Sequence, residues 1–309
     1  MKLNRHVLAG FLIATTFSIR ADEPGWQKEI LRARQLQRAA NYGEAESILT
    51  QAVETAPDEY SRARTLTALG SVYQDLGRFA DAERSYRRAI DARQKTIEPV
   101  SGLASLYFET GRYAKAEKLT RQCLAAMEQD DSADPLALAQ QLGNLAAIDQ
   151  SEHKYPEAEK LHLRALDLFE RHGGTNTPEH AFVLHNLATL RMAVGRPEQA
   201  AANAERAVGI WEATLGTGSP VYAQGLSDLA HLYELLGRTA EAEALWNRSL
   251  SIIERALGPA HPTYGRLLHA YADSLARCNR KAEAKRFRQR AESVRSPQYT
   301  VDYRELGRH

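Results

Sequence analysis

Three histidines, His185, His231 and His269, share one predicted stripe in the second half of the chain. Histidine is a common metal ligand and also titrates near neutral pH. Zinc requires three or four ligands about 2 Å from one point. The spacing puts these side chains on three successive helical segments, whose axes we expect to lie about 8–10 Å apart. They also lack the i, i+4 pairing of a helical metal motif. The pattern therefore favours a pH-sensitive contact over a metal site.

The other residues that could do chemistry form no catalytic motif. The sequence has no glycine-rich phosphate loop after a strand, no HExxH and no GxSxG. Glu241, Glu243 and Arg238 are expected to face water on a helix surface. Cys123 aligns with small packing positions and is predicted to be buried and inert, whereas Cys278 only ends a helix. We predict a protein that is not an enzyme and that uses neither a cofactor nor a metal.

Composition narrows the class of protein further. The 309 residues carry a net charge of +1, and 43% of them are hydrophobic, an ordinary balance for a folded protein. No basic excess points to nucleic acid or another polyanion as a partner. Two cysteines are too few for a fold that depends on disulfides, so packing must stabilise this one.

The first 21 residues have the pattern of a targeting segment. Lys2 and Arg5 precede an uncharged, mostly apolar run from Val7 to Phe17, and Ala21 suits a cleavage point. The run is shorter than the roughly 20 residues that a membrane-spanning helix needs. We therefore expect a cleaved signal peptide over 1–21, export to the periplasm or the outside, and no stable membrane span. A buried or disordered N-terminus and an uncleaved anchor are the alternatives.

A repeat extends over most of the chain, and its period indicates the fold. Successive turns are separated by 37, 34, 42, 42, 42 and 42 residues, a range typical of two-helix repeat units. We predict an all-α, right-handed α-solenoid of about seven two-helix units over 22–296, followed by a tail over 297–309. The turns lie at Ala40, Gly77, Gly111, His153, Gly195, Gly237 and Asn279.

Small residues recur on both sides of each turn. Alanine stands five residues after all seven turns, and alanine or glycine stands seven residues before each of them. Small side chains at both places let two antiparallel helices approach closely. Leucine and tyrosine surround these positions at helical spacing and form the predicted packing stripe of each first helix.

The turn residue itself suits a helix that ends abruptly. The left-handed backbone conformation found there favours glycine and tolerates asparagine. Ala40 and His153 fit this pattern poorly, so we expect their turns to differ in shape.

Longer linkers precede the first helices of the last four units, and each of these helices begins with proline. Asp134, Thr177 and Ser219 stand before three of the prolines and are expected to cap the helices with their side chains. His261 departs from this pattern.

These recurring leucine, alanine, tyrosine and glycine positions resemble the tetratricopeptide repeat family over about Trp26 to Val294. The last four units, with their 42-residue period and LGPAHP at 257–262, resemble the kinesin light chain subtype. The resemblance implies a superhelix whose first helices line an inner groove. It also implies binding of peptides or partner proteins and not catalysis.

Specificity must come from positions that the repeat does not fix. A second stripe on each first helix follows steps of three, one and three residues, which places its members on one face. The candidate groove residues on this stripe are Gln140, Asn144, Phe182, His185, Asn186, Thr189, Gln224, Asp228, His231, Arg266 and His269.

Asn144 and Asn186 match the position where the repeats of the resembled subtype carry an asparagine that binds a peptide backbone. An asparagine amide donates and accepts at once, so it suits a peptide unit of any sequence. Phe182 is a candidate apolar anchor. The same position is Asp228 in the next unit and Gly102 in an earlier one, which limits the asparagine series. Solvated polar residues without a ligand are the alternative interpretation.

We therefore predict an exported scaffold that binds a polypeptide whose identity the sequence does not give. Two alternative functions remain open: a ligand- or glycan-binding accessory module of a cell-envelope enzyme complex, and an enzyme with an unfamiliar site on the α-solenoid. The tail over 297–309 is either disordered or folds back into the groove. The basic run at 281–295 is interpreted as the polar cap of a solenoid, with an anionic partner as the alternative.

Overall fold

The computed structural model describes residues 25–38, 41–92 and 97–294. The predicted signal peptide, the turn at Ala40 and the C-terminal tail lie outside these ranges. The described residues form fourteen α-helices and no β-strand. The helices are α1 (Gly25–Arg38), α2 (Tyr42–Glu54), α3 (Glu59–Asp75), α4 (Phe79–Asp91), α5 (Ile97–Glu109), α6 (Tyr113–Glu128), α7 (Pro135–Ser151), α8 (Tyr155–Arg171), α9 (Pro178–Ala193), α10 (Pro197–Leu215), α11 (Pro220–Leu235), α12 (Thr239–Leu257), α13 (Pro262–Arg277) and α14 (Lys281–Ser293).

The chain divides into two compact units, one up to Leu161 and one from His162 onward, with the division inside α8. In the first unit α1 packs on α2, α3 on α4 and α5 on α6, and each second helix also packs on the first helix of the next pair. The second unit repeats this arrangement with α9 to α14. The predicted all-α fold of two-helix repeats is confirmed.

The small-residue positions lie where the helices approach most closely. All seven alanines that follow the turns, from Ala45 to Ala284, are at most 1% exposed. Large side chains fill the space around them, and Trp211, Tyr222 and Tyr264 are almost fully buried in the second unit. Burial of this apolar surface is the main force that stabilises each pair.

All six turns that the structure describes have one backbone geometry. Their turn residues have φ between 60° and 77°, including His153 at 64° and Asn279 at 60°. In each turn the next residue's amide donates to a carbonyl five residues back, as Lys154 does to Asp149 at 2.8 Å. The expectation of a different turn at His153 was therefore wrong. The tertiary packing of the two helices imposes the left-handed conformation despite the cost of a Cβ there.

The helix caps also differ in part from the prediction. Asp134 and Thr177 cap α7 and α9 through their side chains as predicted. Ser219 makes no side-chain cap bond, whereas the Nδ1 atom of His261 accepts the Thr263 amide at 3.2 Å. The imidazole nitrogen can replace a hydroxyl or carboxylate oxygen at a cap because it also carries a lone pair.

The residue after at least five of the six described turns pairs with a carboxylate of the preceding repeat, which corrects the expectation that Arg238 faces only water. The Arg238 guanidinium lies 3.6 Å from the ring centroid of Tyr233 and also pairs with Glu205 of the preceding repeat and with Glu241. Arg78 and Arg112 make equivalent contacts in the first unit. Glu243 likewise pairs with Arg280 at 2.7 Å. These side chains connect one repeat to the next.

Candidate functional site

The predicted stripe on α9 lies over a large aromatic side chain. The Phe182 and His185 rings lie 5.0 and 5.4 Å from the Trp211 ring, centroid to centroid. Trp211 fits beneath α11 because residue 225 is glycine, where a Cβ would lie 2.7 Å from the indole. Phe182 is half-buried and His185 is only 8% exposed. Phe182 can therefore contact a partner with part of its ring, while His185 belongs mainly to the support beneath it.

A hydrogen bond joins α9 to α11 at this point. His185 Nε2 lies 2.9 Å from Asp228 Oδ2, and the Gln224 amide donates to Asp228 Oδ1 at 3.3 Å. The structure thus brings together three of the predicted groove residues. The bonds hold the half-buried Asp228 carboxylate in one orientation, so the role of His185 is to position Asp228.

His231 joins a second polar cluster, around Glu234. The Glu234 carboxylate accepts from Trp246 Nε1 at 2.6 Å, from the Ser274 hydroxyl and from Arg277 at 3.1 Å, and His231 Nδ1 lies 3.5 Å away. The Glu234 side chain is 10% exposed. Although burial opposes ionisation, these donors lower the pKa of Glu234 to about 2. The cluster therefore links α11 and α12 to α13.

The sequence interpretation missed Glu234, Arg277 and Leu235. Leu235 is 51% exposed, more than any other large hydrophobic side chain in the described part of the chain. It lies four residues after His231 and seven after Asp228, on the same side of α11. Extending the predicted stripe by one turn would have found it.

The two predicted backbone-binding amides are available. Asn186 in the second unit and Asn144 in the first are partly exposed, and neither side-chain amide bonds to another described residue. The Thr189 hydroxyl donates to the Asn186 main-chain carbonyl at 2.8 Å, so it leaves the amide free. Gln140 lies one helical turn before Asn144 on α7 and is also partly exposed.

The remaining predicted residues do not join this arrangement. Arg266 and His269 are exposed on α13. The Arg266 guanidinium bonds to the Thr263 hydroxyl of its own helix at 2.9 Å. These two residues have no described contact with the stripe on α11.

Packing in the first unit explains why the asparagine of α7 and α9 does not recur in α5. Gly102 occupies the position of Asn144 one repeat earlier, and a Cβ there would lie 2.4 Å from the Tyr86 ring. Tyr86 is 3% exposed, so the ring cannot move aside easily. An asparagine at residue 102 would require repacking of α4, and the position serves packing instead of binding.

A hydrogen-bonded series between repeats also runs through the first unit. The Gln37 amide donates to Asp75 at 2.5 Å, and the Gln74 amide donates to Glu109 at 2.7 Å. Burial raises the pKa of the Asp75 and Glu109 carboxyls. Both glutamines stand three residues before their turn, as Glu234 does in the second unit. This position therefore connects neighbouring first helices in both units.

One group of three acidic side chains in the described part of the first unit has a spacing compatible with a cation. Glu117, Asp149 and Glu152 place carboxylate oxygens within 4.8 Å of one another. The Lys154 ammonium already lies 2.6 Å from Glu152 and 3.4 Å from Glu117. Arg121 also pairs with Glu117 at 2.8 Å, so the group is an ion-pair network between repeats.

Both cysteines are free. Cys123 is buried at its packing position, and burial raises the pKa of its thiol to about 11. A thiol with this pKa is a poor nucleophile at neutral pH. Cys278 is exposed at the end of α13.

The fold and this surface together define a helical repeat scaffold. The chain belongs to the tetratricopeptide repeat family: one family model matches residues 28–95, 137–213 and 221–296, and a second matches 67–131. The predicted resemblance is confirmed. No curated protein sequence matches the chain. None of the described helices is long and apolar enough to cross a membrane.

Solved structures with the same fold include three informative cases. BtubC (BKLC) from P. vanneervenii is 18% identical, covering 93% of this chain and 94% of its own, with a TM-score of 0.53. A putative kinesin light chain from Podosopora anserina is 21% identical, covering 67% and 100%, with a TM-score of 0.55. A Rap protein complexed with competence and sporulation factor is 16% identical, covering 89% and 76%, with a TM-score of 0.66. At these identities the likeness shows the fold alone.

Proposed function

We propose that this chain is a non-enzymatic scaffold that binds an extended polypeptide segment along its first helices. Tetratricopeptide repeat proteins bind polypeptide partners, and the fold of this chain is of that family. We call Phe182, Asn186, Asp228, His231 and Leu235 the α9–α11 surface. The observation that carries the proposal is the free amide of Asn186 beside a rigidly supported aromatic ring and a fixed carboxylate.

Each component suits one part of a peptide. The Asn186 amide can donate to a main-chain carbonyl and accept from a main-chain N–H. The exposed parts of Phe182 and Leu235 offer apolar contact, and Asp228 is fixed before binding, so little entropy is lost when it accepts a bond. In the first unit the free Asn144 amide offers the same chemistry.

The test is a pull-down from the native envelope fraction with the mature protein, comparing wild type with the double variant Asn144→Ala plus Asn186→Ala. Each lost amide bond contributes about 0.5–1.5 kcal/mol, so we expect partner affinity to fall by roughly fivefold to a hundredfold. Asn247→Ala, at an exposed asparagine of α12, is the matched control and should leave capture unchanged. Equal capture by wild type and the double variant would contradict the proposal.

The same experiment separates the alternative function. Retention of the protein on cell-wall or glycan material, with no captured polypeptide, would favour a ligand-binding accessory module of an envelope enzyme complex. The envelope fraction is the appropriate source because we also propose export, which the signal-like pattern of residues 1–21 supports.

A further inference from the structure

A shallow cleft of about 340 Å³ opens on a different face of the second unit. It lies between the linker that precedes α9 and the exposed side of α10. None of its residues belongs to the α9–α11 surface. The cleft is lined mainly by Thr175, Asn176, Arg206, Gly209, Ile210 and Ala213.

The repeat scaffold does not account for Gly209 at the floor of this cleft. Glycine in a helix interior costs about 1 kcal/mol relative to alanine. The helical glycines Gly70, Gly225 and Gly265 make room for a neighbouring side chain, because a Cβ at each would lie 2.8, 2.7 and 3.3 Å from it. A Cβ at Gly209 would meet nothing within 4 Å.

The other repeats confirm that the position does not need glycine for packing. Fourteen residues after the turn, where Gly209 stands, they carry Glu54, Asp91, Ala125, Asp167, Ser251 and Ser293. Gly209 therefore weakens α10 without relieving any internal contact. Its consequence is an open floor on which another molecule can approach the helix backbone and the Ile210 side chain.

The charge at the rim indicates the chemistry of that molecule. Arg206 is exposed and forms no ion pair with any described residue. Its neighbour Glu205 is already engaged by the Tyr233 hydroxyl at 2.8 Å and by Arg238 at 3.4 Å. The rim thus has one uncompensated positive charge. Arg206, Ile210 and Ala213 stand at i, i+4 and i+7, so the charge and the apolar floor share one side of α10.

We propose that this cleft is a second docking site, for a protein segment that places a large apolar side chain over Gly209 and an adjacent carboxylate on Arg206. The exposed Asn176 amide, which bonds to no described residue, is placed to bind the main chain of that segment. The site is independent of the first-helix function, so one chain can hold two partners at once.

The test uses a displayed library of random dodecapeptides selected on the full chain. We expect enriched peptides to carry Leu, Ile, Phe or Trp within two residues of Asp or Glu. Gly209→Leu should fill the floor and Arg206→Glu should reverse the rim charge, and each should weaken these peptides about tenfold or more. Replacing the peptide carboxylate by lysine should restore binding to Arg206→Glu.

Two control measurements test whether a loss of peptide binding is due to the cleft. Thermal unfolding of Arg206→Glu, an exposed substitution, should match wild type, so that lost binding reflects the cleft. The double variant Asn144→Ala plus Asn186→Ala should bind the selected peptides normally. The proposal is overturned if no peptide is enriched or if the enriched peptides are basic. It is also overturned if neither Gly209→Leu nor Arg206→Glu changes the affinity for the enriched peptides.

Discussion

Glu234 shows how a single residue can stabilise a junction between repeats. It is almost buried, yet it stays ionised because Trp246, Ser274 and Arg277 all donate to it. Since these donors come from α12 and α13, the carboxylate joins three helices. Losing it would leave the buried Trp246 and Ser274 donors without an acceptor, which is costlier than losing a surface ion pair.

We predict that Glu234→Gln destabilises the protein in a pH-dependent way. The pKa of Glu234 falls from an ordinary 4.5 to about 2 in the folded state, so its stabilisation is fully present above pH 4.5 and is lost as the pH falls toward 2. The free energy of unfolding should be about 3 kcal/mol lower in the variant at pH 6, and the difference should shrink below pH 4. Urea unfolding of wild type and variant at pH 6 and at pH 3 measures this difference in the free energy of unfolding.

Glu241→Gln is the control for this prediction, because Glu241 pairs with Arg238 at an exposed site. It should change the free energy of unfolding little at either pH. A gap between wild type and Glu234→Gln that stays constant from pH 6 to pH 3 would show that the carboxylate charge is not responsible.

Two glycines should respond oppositely to the same substitution. Gly225→Ala puts a Cβ 2.7 Å from the buried Trp211 ring, and we expect the overpacking to cost about 1–3 kcal/mol. Gly209→Ala meets nothing and should stabilise α10 by about 1 kcal/mol. Paired thermal unfolding curves check both signs. A stabilising Gly225→Ala would mean that Trp211 has room to shift.

At the scale of elements, the turn between two helices sets how each repeat is built. The six described turns share one backbone conformation even though their turn residues are glycine, asparagine and histidine. The geometry therefore follows from the packing of the helix pair. Residue type only adjusts its free energy.

We predict that His153→Gly stabilises the turn between α7 and α8 by about 0.5–1 kcal/mol, because a Cβ is unfavourable at φ of 64°. Gly195→Ala should destabilise by about 1–2 kcal/mol, and since its Cβ would meet nothing within 4 Å, the loss comes from the backbone alone. Chemical denaturation measures both. Loss of the bond between His153 and Tyr155, 2.8 Å in wild type, opposes the first effect. Tyr155→Phe in both backgrounds separates the two contributions.

At the scale of the whole molecule, the proposed export would determine which partners the chain can meet. We predict that the mature protein begins at Asp22, because Ala21 follows a basic start and an apolar run. N-terminal sequencing of the protein recovered from the envelope or medium checks this. Recovery of the chain with Met1 intact would instead favour an uncleaved anchor.

Much of the fold could be predicted because the same packing pattern recurs in seven repeats of the sequence. The alanines after each turn, the glycine turns and the caps at Asp134 and Thr177 all follow from local backbone geometry and helical period. For the candidate surface, helical spacing placed Asn144, Asn186, Phe182 and Asp228 on the predicted stripe, and these side chains are partly exposed.

The sequence by itself determined which residues pack inside each helix pair, because those contacts have a fixed spacing along the chain. Only the tertiary structure decided how one pair meets the next. That arrangement packs His185 against Trp211 and leaves no room for a side chain at Gly102 beside Tyr86. It also brings donors from α12 and α13 to Glu234 of α11. These contacts join residues from different repeats, and their register depends on how adjacent pairs stack, which no periodicity within one repeat specifies.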